Sequence, residues 1–329
     1  MRRLISLMLV ALMAFALVAG AQAESKGTIA VVCYANSGPY FACGEQTAIE
    51  TGKRLGYDVI WTGTPDPDGP GFINIITNLV EQGVDAMCIA SGDTESVVPI
   101  LQEAMAKGIK VITLDLDINP AGRNFYAGLM ELDTELGVPQ VESVVASMGD
   151  TGEYAIITGV LTNEFLANRI EFCINYAKEH YPNLKCVAVE SMEEDPEKCY
   201  SVAQNILTVY PDVKAIMSNV SSGVGPISRA IEDAGKIGEV YACGQSMPSL
   251  AKPGMKSGAC INAYLWDPAK WQEWAVTLAA YAVEGKLDDM PVGKVEIEGF
   301  PLAERYSEDT FYYHESFVFT PDNIDNFDF

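Results

Sequence analysis

The 329-residue chain carries 45 acidic side chains against 21 basic ones, a net charge of −24 at pH 7. Such a surface repels nucleic-acid phosphates and anionic lipid, which sets nucleic acid aside as a partner. The length exceeds what a single hydrophobic core covers, so two domains are expected.

The N-terminus reads as an export signal. Arg2 and Arg3 form a short basic region, Leu4 to Val18 is an apolar run, and Ala21-Gln22-Ala23 gives the small-x-small pattern of a cleavage site. The run is shorter than the roughly 20 residues of a membrane-spanning helix. Glu24 stands where a lipid-anchored protein has Cys. The expectation is cleavage after Ala23 and release into the periplasm, with residues 1–23 as the signal peptide.

Beyond the signal, short β-rich runs alternate with helical patterns. Thr28 to Cys33 reads as a buried strand, Ala42 to Leu55 as a helix, and Tyr57 to Trp61 as a strand. Phe72 to Glu81 is helical, Ala86 to Ala90 a strand, Val97 to Ala106 a helix and Lys110 to Leu114 a strand. Strands this apolar are buried on both faces, which means parallel sheets covered by helices. The glycines at 56, 83 and 108 follow the helical patterns, as left-handed C-caps require. The pattern restarts after Met148. Strands are expected at 154–157, 185–189, 215–218 and 240–243, with helices at 164–177, 196–209, 226–234 and 268–284. Gly83-Val84-Asp85-Ala86-Met87-Cys88 is echoed by Pro211-Asp212-Val213-Lys214-Ala215-Ile216, which points to a duplicated βα unit. The fold class is α/β, with two Rossmann-like lobes of parallel sheet facing each other.

Eight cysteines and two histidines, His180 and His314, are present. No Cys-x-x-Cys occurs, and Cys33, Cys88 and Cys243 sit in strand-like runs where Cys acts as a small core residue. Zero to two disulfides are expected, with no pairing assigned and no histidine-based metal site.

Ligands of open α/β sheets bind beyond the carboxyl ends of the strands. The residues there are Tyr34, Asn36 and Ser37; Ser91, Gly92 and Asp93; Asp115 and Asp117; Thr162 and Asn163; Asn219, Ser221 and Ser222; Gln245 and Ser246; and Trp266 and Asp267. Tyr40, Phe41 and Trp266 add aromatic faces. Carboxylates and amides serve hydroxyls that both donate and accept, and rings pack on C–H faces. The set suits a small neutral polyhydroxy compound. It offers no Ser–His or Cys–His pair, no nucleophile elbow and no phosphate loop, so no enzyme and no cofactor are expected. Other uses stay open. Asp115 is either a ligand contact or an N-cap, and the Asp115/Asp117 pair is a conceivable cation site. Trp266 is a ring face or core, and Trp271 and Trp274 are packing residues on one helix face.

Several segments resemble one family. Thr64-Pro65-Asp66 with Asn74 to Val80, the strand end Val111 to Asp117, Ala263 to Asp267, and the closing Phe319 to Phe329 occur in the order seen in type I periplasmic binding proteins of ABC transporters. Within these, the chain is most similar to the rhamnose/autoinducer-2 branch. The resemblance implies two lobes joined by a three-stranded hinge: 27–132 plus about 265–297, and 134–262 plus about 298–329. It implies ligand contacts from Asp115, from Tyr34, Asn36, Tyr40 and Phe41, from Asn163, Asn168 and Arg169, and from Asn219, Ser221, Gln245 and Asp267. Tyr34 stands where autoinducer-2 binders carry Lys, which shifts the expected ligand to another sugar, deoxysugar or polyol. The implied partners are that ligand and a membrane permease, and the implied state is a monomer. A chemoreceptor or sensor-kinase role, an exported glycosidase and a repressor ligand domain are the competing classes.

Overall fold

The computed structural model describes residues 25–329 except 35, 67, 116, 129–131 and 162, and leaves out the side chains of 132–134 and 164. The signal peptide and Thr162 therefore lie outside the described residues.

An eight-stranded sheet forms the first lobe. Its strands run in the order β11 (Gly293–Lys294), β12 (Ala303–Arg305), β13 (Thr310–Tyr313), β5 (Phe125–Gly128), β4 (Lys110–Leu114), β3 (Ala86–Ala90), β1 (Thr28–Cys33) and β2 (Asp58–Gly63). The last five of these, from β5 to the edge strand β2, are all in parallel register. Every residue of β3 is buried, as expected of a strand covered on both faces. The helices α1 (Pro39–Ala42), α2 (Glu45–Leu55), α3 (Gly69–Gln82) and α4 (Val98–Ala106) alternate with these strands. Helices α2 and α3 end on left-handed Gly56 and Gly83, as the sequence reading expects.

A π-helical stretch, Leu132–Gly137, leads out of the first lobe into α5 (Val138–Met148). The second sheet has the order β7-β6-β8-β9. It comprises β6 (Gly152–Thr158), β7 (Leu184–Ser191), β8 (Val213–Ser218) and β9 (Tyr241–Gly244), again parallel. Its helices are α6 (Glu164–His180), α7 (Pro196–Val209), α8 (Val224–Asp233) and α9 (Pro248–Ser257).

The chain then returns. β10 (Ala263–Leu265) pairs antiparallel with β14 (Phe317–Phe319) in a two-stranded sheet. Bridges from Ala242 to Cys260 and from Gln245 to Tyr264 tie the approach to β10 onto β9. Helix α10 (Pro268–Val283) carries Trp271 and Trp274, both buried, across the first sheet. Their indole N–H groups donate to Ala127 O (3.0 Å) and Gly128 O (3.2 Å) on β5.

The last strands are β11 (Gly293–Lys294), β12 (Ala303–Arg305) and β13 (Thr310–Tyr313). β13 pairs parallel with β5, Thr310 opposite Tyr126, and β12 and β11 follow antiparallel. Residues 303–313 therefore run with the first sheet, whereas the sequence reading grouped about 298–329 with the second lobe. The reason is length. Strands of two to four residues carry no alternation strong enough to place them. The sequence reading puts the third passage between lobes only somewhere after Ile297, and the chain is still paired with the first sheet in β13.

Candidate functional site

A cavity of about 380 Å³ lies between the lobes, at the carboxyl ends of the strands. The first lobe supplies an aromatic wall from the β1–α1 segment. Tyr34 meets Phe41 edge-on at 5.4 Å between ring centres, Phe41 meets Tyr40 at 5.0 Å, and Tyr40 meets Trp266 at 6.3 Å. Edge-on rings hold each other in place, and all four of these side chains line the cavity.

Asp115, just after β4, is the charged centre of that wall. Its backbone is left-handed, φ 66°, a conformation that costs a non-glycine residue roughly 1–2 kcal/mol. Tyr40 donates its hydroxyl to Asp115 Oδ1 (3.1 Å) and accepts from Trp266 Nε1 (2.9 Å). Tyr126, on β5, donates to the Asp115 carbonyl (3.1 Å). Burial pushes the Asp115 carboxyl up to about 7, opposed by the Tyr40 hydrogen bond and the positive charge of Arg169.

The second lobe faces this centre with Arg169. Its side chain, only 2% exposed, rises from α6. Arg169 Nε donates to Asn219 Oδ1 (2.9 Å) and Nη2 to Asn219 O (2.5 Å). Asn219 in turn donates to Thr158 Oγ1 (3.1 Å) and Leu166 O (3.3 Å). The guanidinium also lies over the Phe165 ring, 5.1 Å from its centre. A buried charge needs this density of partners, and the result is an arginine held in one pose, with no hydrogen bond from Nη1 among the described residues. Ser221 and Ser222 after β8, Gln245 after β9, and Asn163 complete the second-lobe wall. Gln245 Oε1 is buried without a hydrogen-bond partner among the described residues. An orphaned buried acceptor in a cavity wall marks a place where a ligand donor fits.

The structure thus brings eleven of the expected residues to one cavity: Tyr34, Ser37, Tyr40, Phe41, Asp115, Asn163, Arg169, Ser221, Ser222, Gln245 and Trp266. Ser91, Gly92 and Asp93 line an adjoining cavity, while Asn36, Asp117, Asn168, Asn219 and Asp267 sit elsewhere. Asp117 pairs with Arg123, Oδ1 to Nε at 2.7 Å and Oδ2 to Nη2 at 2.9 Å, and Arg123 reaches on to Asp309. That cluster anchors the loop after β4 to the start of β13. Asp267 caps α10, accepting from Ala269 N (2.8 Å) and Lys270 N (3.3 Å). Asn219 lies behind Arg169. Asn168 is exposed on α6, and Asn36 is half-buried beside Gly63, outside the cavity lining.

Among the lining residues that the sequence reading did not assign to the site are Tyr126, Trp271 and Glu194. Tyr126 sits on β5, a strand of four residues. Trp271 lines the cavity as well as packing α10. Glu194 stands in the loop after β7, and the strand-end rule, applied to that strand too, would have found it. Among the described residues, no group of three or more His, Cys, Asp or Glu side chains is placed to hold a metal ion.

Residues 29–287 match the model of the periplasmic binding protein domain, and the chain belongs to that family. It is similar to a D-ribose/D-allose-binding protein of Pseudomonas aeruginosa, 27% identical over 277 residues, or 81% of this chain and 85% of the relative. Among solved structures it resembles LsrB from Clostridium saccharobutylicum in complex with AI-2. The TM-score there is 0.82 at 23% identity, over 92% of this chain and all of that one. A Clostridium phytofermentas ABC transporter solute-binding protein with bound L-rhamnose gives 0.80 at 20%, over 92% and 98%. At such identity these two likenesses describe the fold, which is that of a type I periplasmic binding protein.

Proposed function

We propose that this protein captures a small neutral sugar, deoxysugar or polyol between its lobes and delivers it to the permease of an ABC importer. The observation that carries the reading is the opposition of two polar centres across one cavity. Asp115, oriented by Tyr40, faces Arg169, oriented by Asn219. A hydroxyl donates to the carboxylate and accepts from the guanidinium, so adjacent hydroxyls on one ring satisfy both. The aromatic wall takes the ring's C–H face. The curated relative from Pseudomonas aeruginosa, named for ribose and allose, supports the same ligand class.

Nothing in this scheme breaks a bond of the ligand, which leaves unchanged. Export, cleavage after Ala23 and action as a periplasmic monomer belong to the same proposal. The lobes rotate about three passages: the Leu132–Gly137 stretch, the approach to β10, and the chain between Tyr313 and Phe317. Ligand touching both walls shifts the population toward the closed form.

A thermal-shift screen over sugars and polyols, followed by scattering with the best binder, tests this. At least one neutral sugar is expected to raise the melting temperature, because ligand that binds only the native state stabilises it. The radius of gyration should fall on saturation. Stabilisation by nucleotides or metal ions alone would overturn the assignment.

A further inference from the structure

A second cavity, of about 300 Å³, adjoins the first. On the first-lobe side it is bounded by Gly69 at the start of α3 and by Ser91 and Ser96 in the loop after β3; Val160 closes it from the second lobe. Three residues, Tyr34, Asn163 and Glu194, line both cavities. The Tyr34 ring stands as the partition. A Cβ on Gly92 would lie 3.3 Å from that ring, so the glycine keeps this side open.

Glu194 marks the junction. Among the described residues only Asp115, Glu193 and Glu194 are non-glycine residues with positive φ. Two of these three bring carboxylates to the main cavity, from opposite lobes. Glu193 is taken by Lys198 at 2.7 Å, while Glu194 has no such cation among the described residues. Its carboxylate lies over Gly159, where an added Cβ would meet Oε1 at 1.8 Å. The other acids of the second cavity are spent on their own loops. Asp68 accepts from Gly71 N, and Asp93 accepts from Glu95 N and Ser96 N.

Resting on the sugar-binding reading, we propose that the two cavities form one site and that its ligand is a disaccharide. One ring lies among Asp115, Arg169 and the aromatic wall. The second occupies the space beside Gly69 and Ser96, and Glu194 accepts hydroxyl donors at the junction. The main cavity alone already reaches the roughly 300 Å³ at which ligand pockets begin. A monosaccharide held there would leave the second cavity and the free carboxylate facing water. The lining acids, against the single guanidinium of Arg169, select a neutral second ring over a uronic acid or sugar phosphate.

Calorimetry separates the possibilities. Ribose, allose, rhamnose and glucose are compared with maltose, cellobiose, melibiose and gentiobiose on the wild-type protein and on Gly69→Trp and Ser96→Phe. Gly69 has no atom within 4 Å of an added Cβ and a backbone angle open to any residue, so the first carbon of the new side chain meets no neighbour. At least one disaccharide should bind tenfold or more tightly than every monosaccharide. Either substitution should weaken that disaccharide at least tenfold and leave monosaccharide binding within twofold. Monosaccharides that bind as tightly as any disaccharide, with both substitutions silent, overturn the two-ring inference and leave the sugar reading standing. Binding of neither class removes both.

Discussion

Tyr40 donates to Asp115 while accepting from Trp266, at 3.1 and 2.9 Å. One hydroxyl thus couples the segment after β1, the end of β4 and the residue just past β10, which are far apart in sequence. Tyr40→Phe keeps the ring and removes the coupling. Asp115 loses its donor and the Trp266 N–H its acceptor. Sugar affinity should fall by roughly tenfold, about 1.4 kcal/mol, with a lower melting temperature. Calorimetry on the variant checks it, and unchanged affinity would separate the hydroxyl from recognition.

Asp115 also sets a pH dependence. Its folded pKa is raised, to about 7, above the ordinary carboxylate value. Between the two values the folded state holds the extra proton, so this residue's contribution to stability is full below about pH 4 and is lost as pH rises through 7. The loss is on the order of a few kcal/mol. Ligand affinity moves the other way, because the ionised carboxylate is the stronger acceptor of hydroxyls. Unliganded wild type should lose melting temperature from pH 5 to pH 8 relative to Asp115→Asn. Affinity should rise over the same window in the wild type only. Parallel pH profiles in the two proteins would contradict this.

Arg169 depends on Asn219 for its pose. Asn219→Ala strips the guanidinium of its Nε partner and leaves a buried charge under-bonded. The expected cost is about 2–4 kcal/mol of stability, seen as a lower denaturant midpoint with an unchanged slope. Affinity should fall too, although Asn219 is no part of the cavity lining.

All eight cysteines are free thiols, with Cys43 and Cys186 half-buried and the other six buried. The denatured chain should titrate eight thiols without reductant. The native protein should react first at Cys43 and Cys186, and added dithiothreitol should leave the melting temperature unchanged. Fewer than eight thiols in denaturant would reveal a disulfide.

The long buried strands were readable because Thr28 to Cys33 or Ala86 to Ala90 can be stable only between two helical layers. The strands β5 and β11 to β13 were not, since two to four residues carry too little pattern to show which sheet they extend. At the site, the strand-end rule finds where a side chain starts but not what it bonds. Asp115 and Asp117 look alike in sequence. The first turns inward on a left-handed backbone, whereas the second meets Arg123, six residues on. Asp267 and Asn163 both cap helices, yet only Asn163 also faces the cavity. The Asp115 outcome hangs on Tyr40, distant in sequence, whereas those of Asp117 and Asp267 hang on loop and helix-start geometry close by, which hydrophobic periodicity does not encode.

Gln245 offers the sharpest contrast between stability and function. Its side chain is 5% exposed and its Oε1 has no partner among the described residues. A buried acceptor left unmade costs about 1–3 kcal/mol, a cost that a bound hydroxyl would relieve. Gln245→Leu removes the orphaned group and keeps much of the volume. The unliganded variant should therefore melt higher, by roughly 2 °C or more. It should also bind sugar at least tenfold more weakly, since the hydroxyl that met Oε1 now faces a methyl group. Calorimetry and thermal melts on the same preparation read both effects. A variant that is less stable and still binds normally would show that this amide serves packing, and that the ligand is gripped elsewhere.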